Sequence, residues 1–177
     1  KLTTITLPDS LLSIDGEAFI DCSGLKRVVL GDGVKTIGYQ AFYNCWNIEE
    51  LVIGKSLEHI GEDAFRDCYS SFEVSTNNQY FKSVDGTLYT KDGTTLVKYN
   101  GQKRDAVVTI IEGVKMIGYR AFHGATHIEK LVMPSTLLKI DTWGFAECLG
   151  LKEVVINNGL TEIGEYAFNY SKTISNY

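Results

Sequence analysis

The chain has 177 residues, 44% hydrophobic and 22% charged, which is enough for a sizeable core and shows no bias towards disorder. A net charge of −5 argues against a nucleic-acid surface, because phosphate binding concentrates Lys and Arg on one face; no apolar run approaches the ~18 residues that cross a bilayer. No basic segment, apolar stretch and cleavage site open the chain, neither end looks like a cap, and the chain therefore reads as a piece of a longer protein.

The predicted elements recur with a period of 23 residues. The first unit starts near residue 2 and places Ile5, Leu7, Leu11, Ile14, Ala18-Phe19 and Cys22. The second, from Leu25, repeats this as Val28, Leu30, Val34, Ile37, Ala41-Phe42 and Cys45, and the third, from Ile48, as Leu51, Ile53, Leu57, Ile60, Ala64-Phe65 and Cys68. Then 34 residues, Ser71 to Arg104, break the phase. They read as a degenerate coil carrying an extra hairpin. Phe72, Val74 and Tyr80-Phe81 are expected to continue the core, and Gly86–Tyr89 and Leu96–Tyr99 flank a turn at Lys91-Asp92-Gly93. From residue 105 the phase returns with Val108, Ile110, Val114, Ile117, Ala121-Phe122 and Ala125. Units from 128 and 151 complete the set, with Gly144-Phe145 and Cys148, then Ala167-Phe168 and Ser171. One domain spanning residues 1–177 is expected.

Each position has a physical role if one unit is one coil of a superhelix that stacks on the next. The opening of each unit forms a short strand whose fourth and sixth residues point inward, so that Arg27 and Val29 point outward. A second inward pair, as in Val34 and Ile37, follows a turn. The residue after it is Gly38, Gly61, Gly118, Gly164, Asp15 or Asp141, types that tolerate a positive φ at a sharp corner. The Ala-Phe pair is expected on a helical or 3₁₀ turn, with Phe19, Phe42, Phe65, Phe122, Phe145 and Phe168 forming a stacked spine.

In-register stacking brings equivalent residues to within about 4.8 Å. Lys26 then meets Glu49, Arg27 meets Glu50, Glu129 meets Lys152 and Lys130 meets Glu153. All four pairs are complementary, and at ~0.2–1 kcal/mol each they select register more than they add stability.

The run Ile37-Gly38-Tyr39-Gln40-Ala41-Phe42-Tyr43-Asn44-Cys45 resembles the I-G-x-x-A-F-x-x-C signature of the BspA-like leucine-rich repeats, and the resemblance extends over essentially the whole chain. The interruption, with Asn78-x-Tyr80-Phe81 and Val84–Tyr89, resembles that family's recurrent inserted segment. The resemblance implies a leucine-rich repeat solenoid: a right-handed, mostly β superhelix of short parallel strands with turns and short helical or 3₁₀ segments. It also implies an exported bacterial surface protein, extracellular or on the cell surface, of a class that includes adhesins.

Chemistry-bearing residues favour structure over catalysis. Cys22, Cys45, Cys68 and Cys148 follow the repeat, match no zinc spacing, and alternate with Ala125 and Ser171, as small buried thiols would. Stacked cysteines have nearly parallel Cβ directions, which is poor disulfide geometry. His123 and His127 are four apart but span a corner, and His59 stands alone. Asp85 and Asp92-Gly93 resemble calcium loops but lack the alternating ligands and closing Glu. No metal, cofactor or catalytic activity is expected.

Two surfaces remain. The strand face carries Arg27, Val29, Glu50, Val52, Lys130, Val132, Glu153 and Val155, and plain strand propensity explains its β-branched row equally well. The second surface is aromatic, with Tyr39, Tyr43, Trp46, Tyr119, Trp143, Tyr166 and Tyr170 around the Ala-Phe turn, and packing between coils also accounts for many of these. The expectation is a non-enzymatic protein-binding or adhesion module that recognises its ligand through the repeat surface, by the strand face or the aromatic edge, and the resemblance implies a host or matrix protein as that ligand. A ligand-free spacer and a carbohydrate-binding module are the alternatives, and neither nucleic acid nor membrane insertion is expected.

Overall fold

A computed structural model describes residues 2–171. Its strands are β1 (Thr4–Thr6), β2 (Ser13–Ile14), β3 (Arg27–Val29), β4 (Thr36–Ile37), β5 (Glu50–Ile53), β6 (His59–Ile60), β7 (Ser71–Val74), β8 (Phe81–Val84), β9 (Thr87–Thr90), β10 (Thr95–Lys98), β11 (Val107–Thr109), β12 (Met116–Ile117), β13 (Lys130–Val132), β14 (Lys139–Ile140), β15 (Glu153–Val155) and β16 (Glu162–Ile163). They fall into two compact units, Lys1–Asp92 with Asn100–Gln102, and Gly93–Tyr99 with Lys103–Tyr177. Each is a stack of parallel coils, so the fold is a leucine-rich-repeat β-solenoid.

In the first unit β1, β3, β5 and β7 pair in that order, and β2, β4 and β6 form a second parallel sheet. Thr4 pairs with Arg27 and Arg27 with Glu50, a shift of one period at each step. The inward residues Val28, Ile37, Leu51, Ile53 and Leu57 are fully enclosed, and burial of each such side chain contributes about 1.5–3 kcal/mol. Phe19 stacks on Phe42 at 5.1 Å, Phe42 stacks on Phe65 at 5.9 Å, and Phe72 closes the row edge-on against Phe65.

In the second unit β11, β13 and β15 pair in parallel, as do β10, β12, β14 and β16. Its aromatic row begins with Tyr99, stacked 4.6 Å from Phe122, and continues through Phe145 to Phe168. The expected phenylalanine spine is thus present as one row in each unit.

Two local expectations are corrected, and one hairpin is added. First, no described residue is helical or 3₁₀. The N–H groups of Ala41, Tyr43 and Cys45 close turns three residues back, whereas those of Gln40, Phe42 and Asn44 donate to Glu62, Ala64 and Arg66 on the next coil. A 3₁₀ turn would direct every donor inside its own segment. Here alternate donors serve the neighbouring coil, which satisfies backbone groups that a stacked coil would otherwise bury unpaired.

Second, the positive φ angles fall elsewhere. They occur just before the Ala, as in Gln40 (51°) and Arg120 (51°), and just before the Cys position, as in Asp21 (57°) and Asn44 (62°). Gly38, Gly61 and Gly164 answer a different need. A Cβ on Gly61 would lie 2.6 Å from the carbonyl carbon of Gly38, so these glycines permit close approach between coils.

The expected strands on either side of Lys91-Asp92-Gly93 are present as β9 and β10, and a further antiparallel hairpin that the sequence reading did not place forms from β8 and β9 around Asp85-Gly86. Gly86 has φ 73°, and its missing Cβ leaves room for Ser71 Oγ and Asn100 Nδ2. The buried Asn100 fastens the hairpin, donating from Nδ2 to the Asp85 carbonyl at 2.9 Å and accepting through Oδ1 from the Gln102 N–H. Phe72 and Phe81 join the core as expected, but Tyr80 is exposed.

Candidate functional site

The strand face is built by the parallel register. In the first unit Thr4, Arg27, Glu50 and Ser71 make one outward row, and Thr6, Val29, Val52 and Glu73 the next. In the second unit the rows are Val107, Lys130, Glu153 and Thr109, Val132, Val155. The eight residues singled out by sequence therefore form two groups of four: Arg27, Val29, Glu50 and Val52, and Lys130, Val132, Glu153 and Val155. Val29, Val52 and Val132 are half-buried, and Val155, at the edge, is exposed.

All four expected charge pairs form. Lys26 Nζ lies 3.1 Å from Glu49, Arg27 Nε 2.5 Å from Glu50, Lys152 Nζ 3.0 Å from Glu129 and Lys130 Nζ 2.8 Å from Glu153. All are solvent-exposed to a third or more, so they fix register and contribute little else.

A groove of ≈ 350 Å³ crosses the C-terminal ends of the first unit's strands. Thr6, Val29 and Val52 contribute its floor, and Asp9, Asp32 and Glu73 its charged lining. Behind it runs a ladder that sequence reasoning missed. Asp9 Oδ1 accepts the Asp32 N–H at 2.8 Å, and Asp32 Oδ1 accepts the Lys55 N–H at 3.1 Å. Lys55 Nζ then reaches Asp32 Oδ2 at 3.2 Å. The hydrogen bonds from Lys55 hold the Asp32 carboxyl below the usual carboxylate range. The one-period spacing of Asp9, Asp32 and Lys55 was the signal available in the sequence.

The second unit uses the same device differently. Glu112 accepts from both the Ser135 N–H at 3.0 Å and its Oγ at 2.9 Å, and those bonds lower its pKa.

The aromatic set does not converge. Trp143 is sandwiched, with Arg120 4.7 Å from its ring centre and Tyr166 stacked at 4.6 Å. Sugar recognition by stacking needs an open ring face, which this sandwich withholds. Arg66 lies over Tyr43 at 5.2 Å, while Tyr39 and Trp46 are about half exposed.

All four cysteines are free. Cys45 Sγ donates to the Phe19 carbonyl at 2.9 Å, Cys148 Sγ to that of Phe122 at 3.3 Å, and Ser171 Oγ to that of Phe145 at 2.9 Å. At these three coils the small side chain is also a hydrogen-bond donor, whereas Ala125 keeps only the small volume. Burial pushes the Cys45 and Cys148 thiols up to about 12, so they are protonated and poor nucleophiles at neutral pH.

Buried His123 has Nε2 3.6 Å from Glu147, and His127 stacks on Tyr99 with its pKa lowered by burial. Among the described residues no three His, Cys, Asp or Glu side chains are grouped to hold a metal ion, and no helix is long and apolar enough to cross a membrane.

The sequence matches the model of the BspA type leucine rich repeat region in 6 copies, over residues 1–105 and 99–177. Among curated proteins, none matches. Among solved structures, the pneumococcal vaccine antigen PcpA is similar with a TM-score of 0.86 and 28% identity over 96% of this chain and 48% of that one. A leucine rich cell surface protein of Faecalibacterium prausnitzii is similar with a TM-score of 0.84 and 27% identity, over 97% of this chain and 46% of its own. The chain therefore spans about half the length of these two. A leucine rich repeat protein of T. pallidum shares the fold, with a TM-score of 0.56 and 20% identity over 91% of this chain and 72% of that one.

Proposed function

The chain belongs to the BspA-type leucine-rich repeat family, and on that premise we propose that it is a non-enzymatic recognition module of a secreted or cell-surface protein, binding a protein ligand through its outward strand rows. The observation that carries this reading is the row Thr6, Val29, Val52 and Glu73. It is held in register by the sheet, half open to solvent, and runs into a groove. Such a surface offers many weak contacts on a rigid frame, so affinity is the sum of buried area and matched polar groups and involves no bond making. The two solved relatives described as a vaccine antigen and a cell surface protein support the location.

The test is binding of the purified chain to a panel of extracellular-matrix and host-surface proteins alongside a glycan array. A saturable protein partner, lost in a Val29→Lys/Val52→Lys variant that still folds, is the expected result. Silence on both panels favours a spacer, and glycan binding abolished by Trp46→Ala favours a carbohydrate module; either overturns the proposal.

A further inference from the structure

We infer that the groove of the first unit receives an extended segment of the partner protein that carries two Lys or Arg side chains four residues apart. This rests on the strand-face reading above and specifies the chemistry of its ligand.

Three features point to that occupant. The charged lining is entirely acidic: Asp9, Asp32 and Glu73 face the groove, and no Lys, Arg or His lines it. Asp32 is already matched by Lys55, whereas among the described residues no ion pair engages Asp9 or Glu73, and both are exposed. Between them lies the β-branched, uncharged floor of Thr6, Val29 and Val52.

The carboxylates are also not grouped as a metal site, which leaves a ligand whose positive charges are themselves spread out. Asp9 lies on the turn just past β1 and Glu73 on β7, the fourth strand of the sheet, so three strand spacings separate their coils across the sheet. At about 4.8 Å per spacing this is roughly 14 Å, the length of about four extended residues at ~3.4 Å each. Side chains four apart in an extended segment lie on one face, so two cations can address both carboxylates while small residues cover the floor. The second unit lacks this pattern. Its row of Thr109, Val132 and Val155 has no acid at its end, and Glu112 is occupied by Ser135.

The experiment is an NMR titration of the intact chain with the capped peptide Lys-Val-Ser-Val-Lys and, as control, Glu-Val-Ser-Val-Glu. The expected result is saturable shifts at Thr6, Val29 and Val52 with the basic peptide only, weakening as salt rises. Asp9→Asn/Glu73→Gln should weaken binding about three- to tenfold, and Glu129→Gln/Glu162→Gln should leave it unchanged. No binding, equal binding of the acidic peptide, or indifference to Asp9→Asn/Glu73→Gln overturns the inference. Loss of panel binding in Val29→Lys/Val52→Lys alongside any of those outcomes would leave the strand-face reading standing without its basic ligand.

Discussion

In the first unit the aromatic row runs Phe19, Phe42, Phe65 and ends edge-on at Phe72; in the second it begins with Tyr99 and runs through Phe122 and Phe145 to Phe168. The strand rows repeat the comparison. Both units place β-branched residues outward, yet the first ends its β-branched row in a carboxylate, Glu73, beside an acid-lined groove, whereas the second ends it in Val155. Interior positions tolerate little variation because each must mate with the same position of the next coil. Outward positions are under no such constraint, and there the two units have diverged. Specific recognition is therefore to be sought where the units differ, and stability where they agree.

Substitutions in the shared interior should hurt both units alike. Phe42→Ala and Phe122→Ala, at two rings that are almost wholly enclosed, should each destabilise by ~3–5 kcal/mol in chemical denaturation. The half-buried end ring Phe168 should cost less when truncated. Equal, small losses at all three would break the stacked-row account. The next effect is asymmetric. Gly61→Ala should cost ~1–3 kcal/mol, because the new methyl meets the backbone of Gly38, whereas Asp141→Ala at the equivalent position of the second unit should cost under ~1 kcal/mol, a side chain being already accommodated.

Smaller again is the donor at the end of the turn. Cys45→Ala should lose ~1 kcal/mol with the Phe19 hydrogen bond, and Cys45→Ser should recover most of it, as Ser171 does natively. The smallest change is Arg27→Glu, at ~0.2–1 kcal/mol, reversed by adding Glu50→Arg.

The fold was legible because it is periodic. Leu51, Ile60 and Phe65 announce their roles by recurring at one interval, and the complementarity of Lys26 with Glu49 or Lys130 with Glu153 specifies the register in the sequence itself. What escaped was backbone conformation within a coil. Arg120 and Trp143 adopt positive φ despite large side chains, a conformation costing ~1–2 kcal/mol, and their N–H groups donate to Thr142 and Glu165 of the next coil. Propensity misdirects at such positions. The recurrent Asp21, Asn44, Asp67 and Gly124 did carry the signal, since these types accept that region most readily. The groove was legible only in part: Val29 and Val52 were identified, but Asp9 and Asp32, on turns, and Glu73, outward on β7, lie outside the hydrophobic pattern.

The most direct test measures unfolding temperature and ligand binding together for two variants, Val29→Lys/Val52→Lys in the first unit and Val132→Lys/Val155→Lys in the second. The account predicts that both fold, with unfolding temperatures near that of the parent chain, and that the first alone loses its protein ligand. Undiminished binding in the first variant, or loss of binding only through loss of the fold, would contradict it.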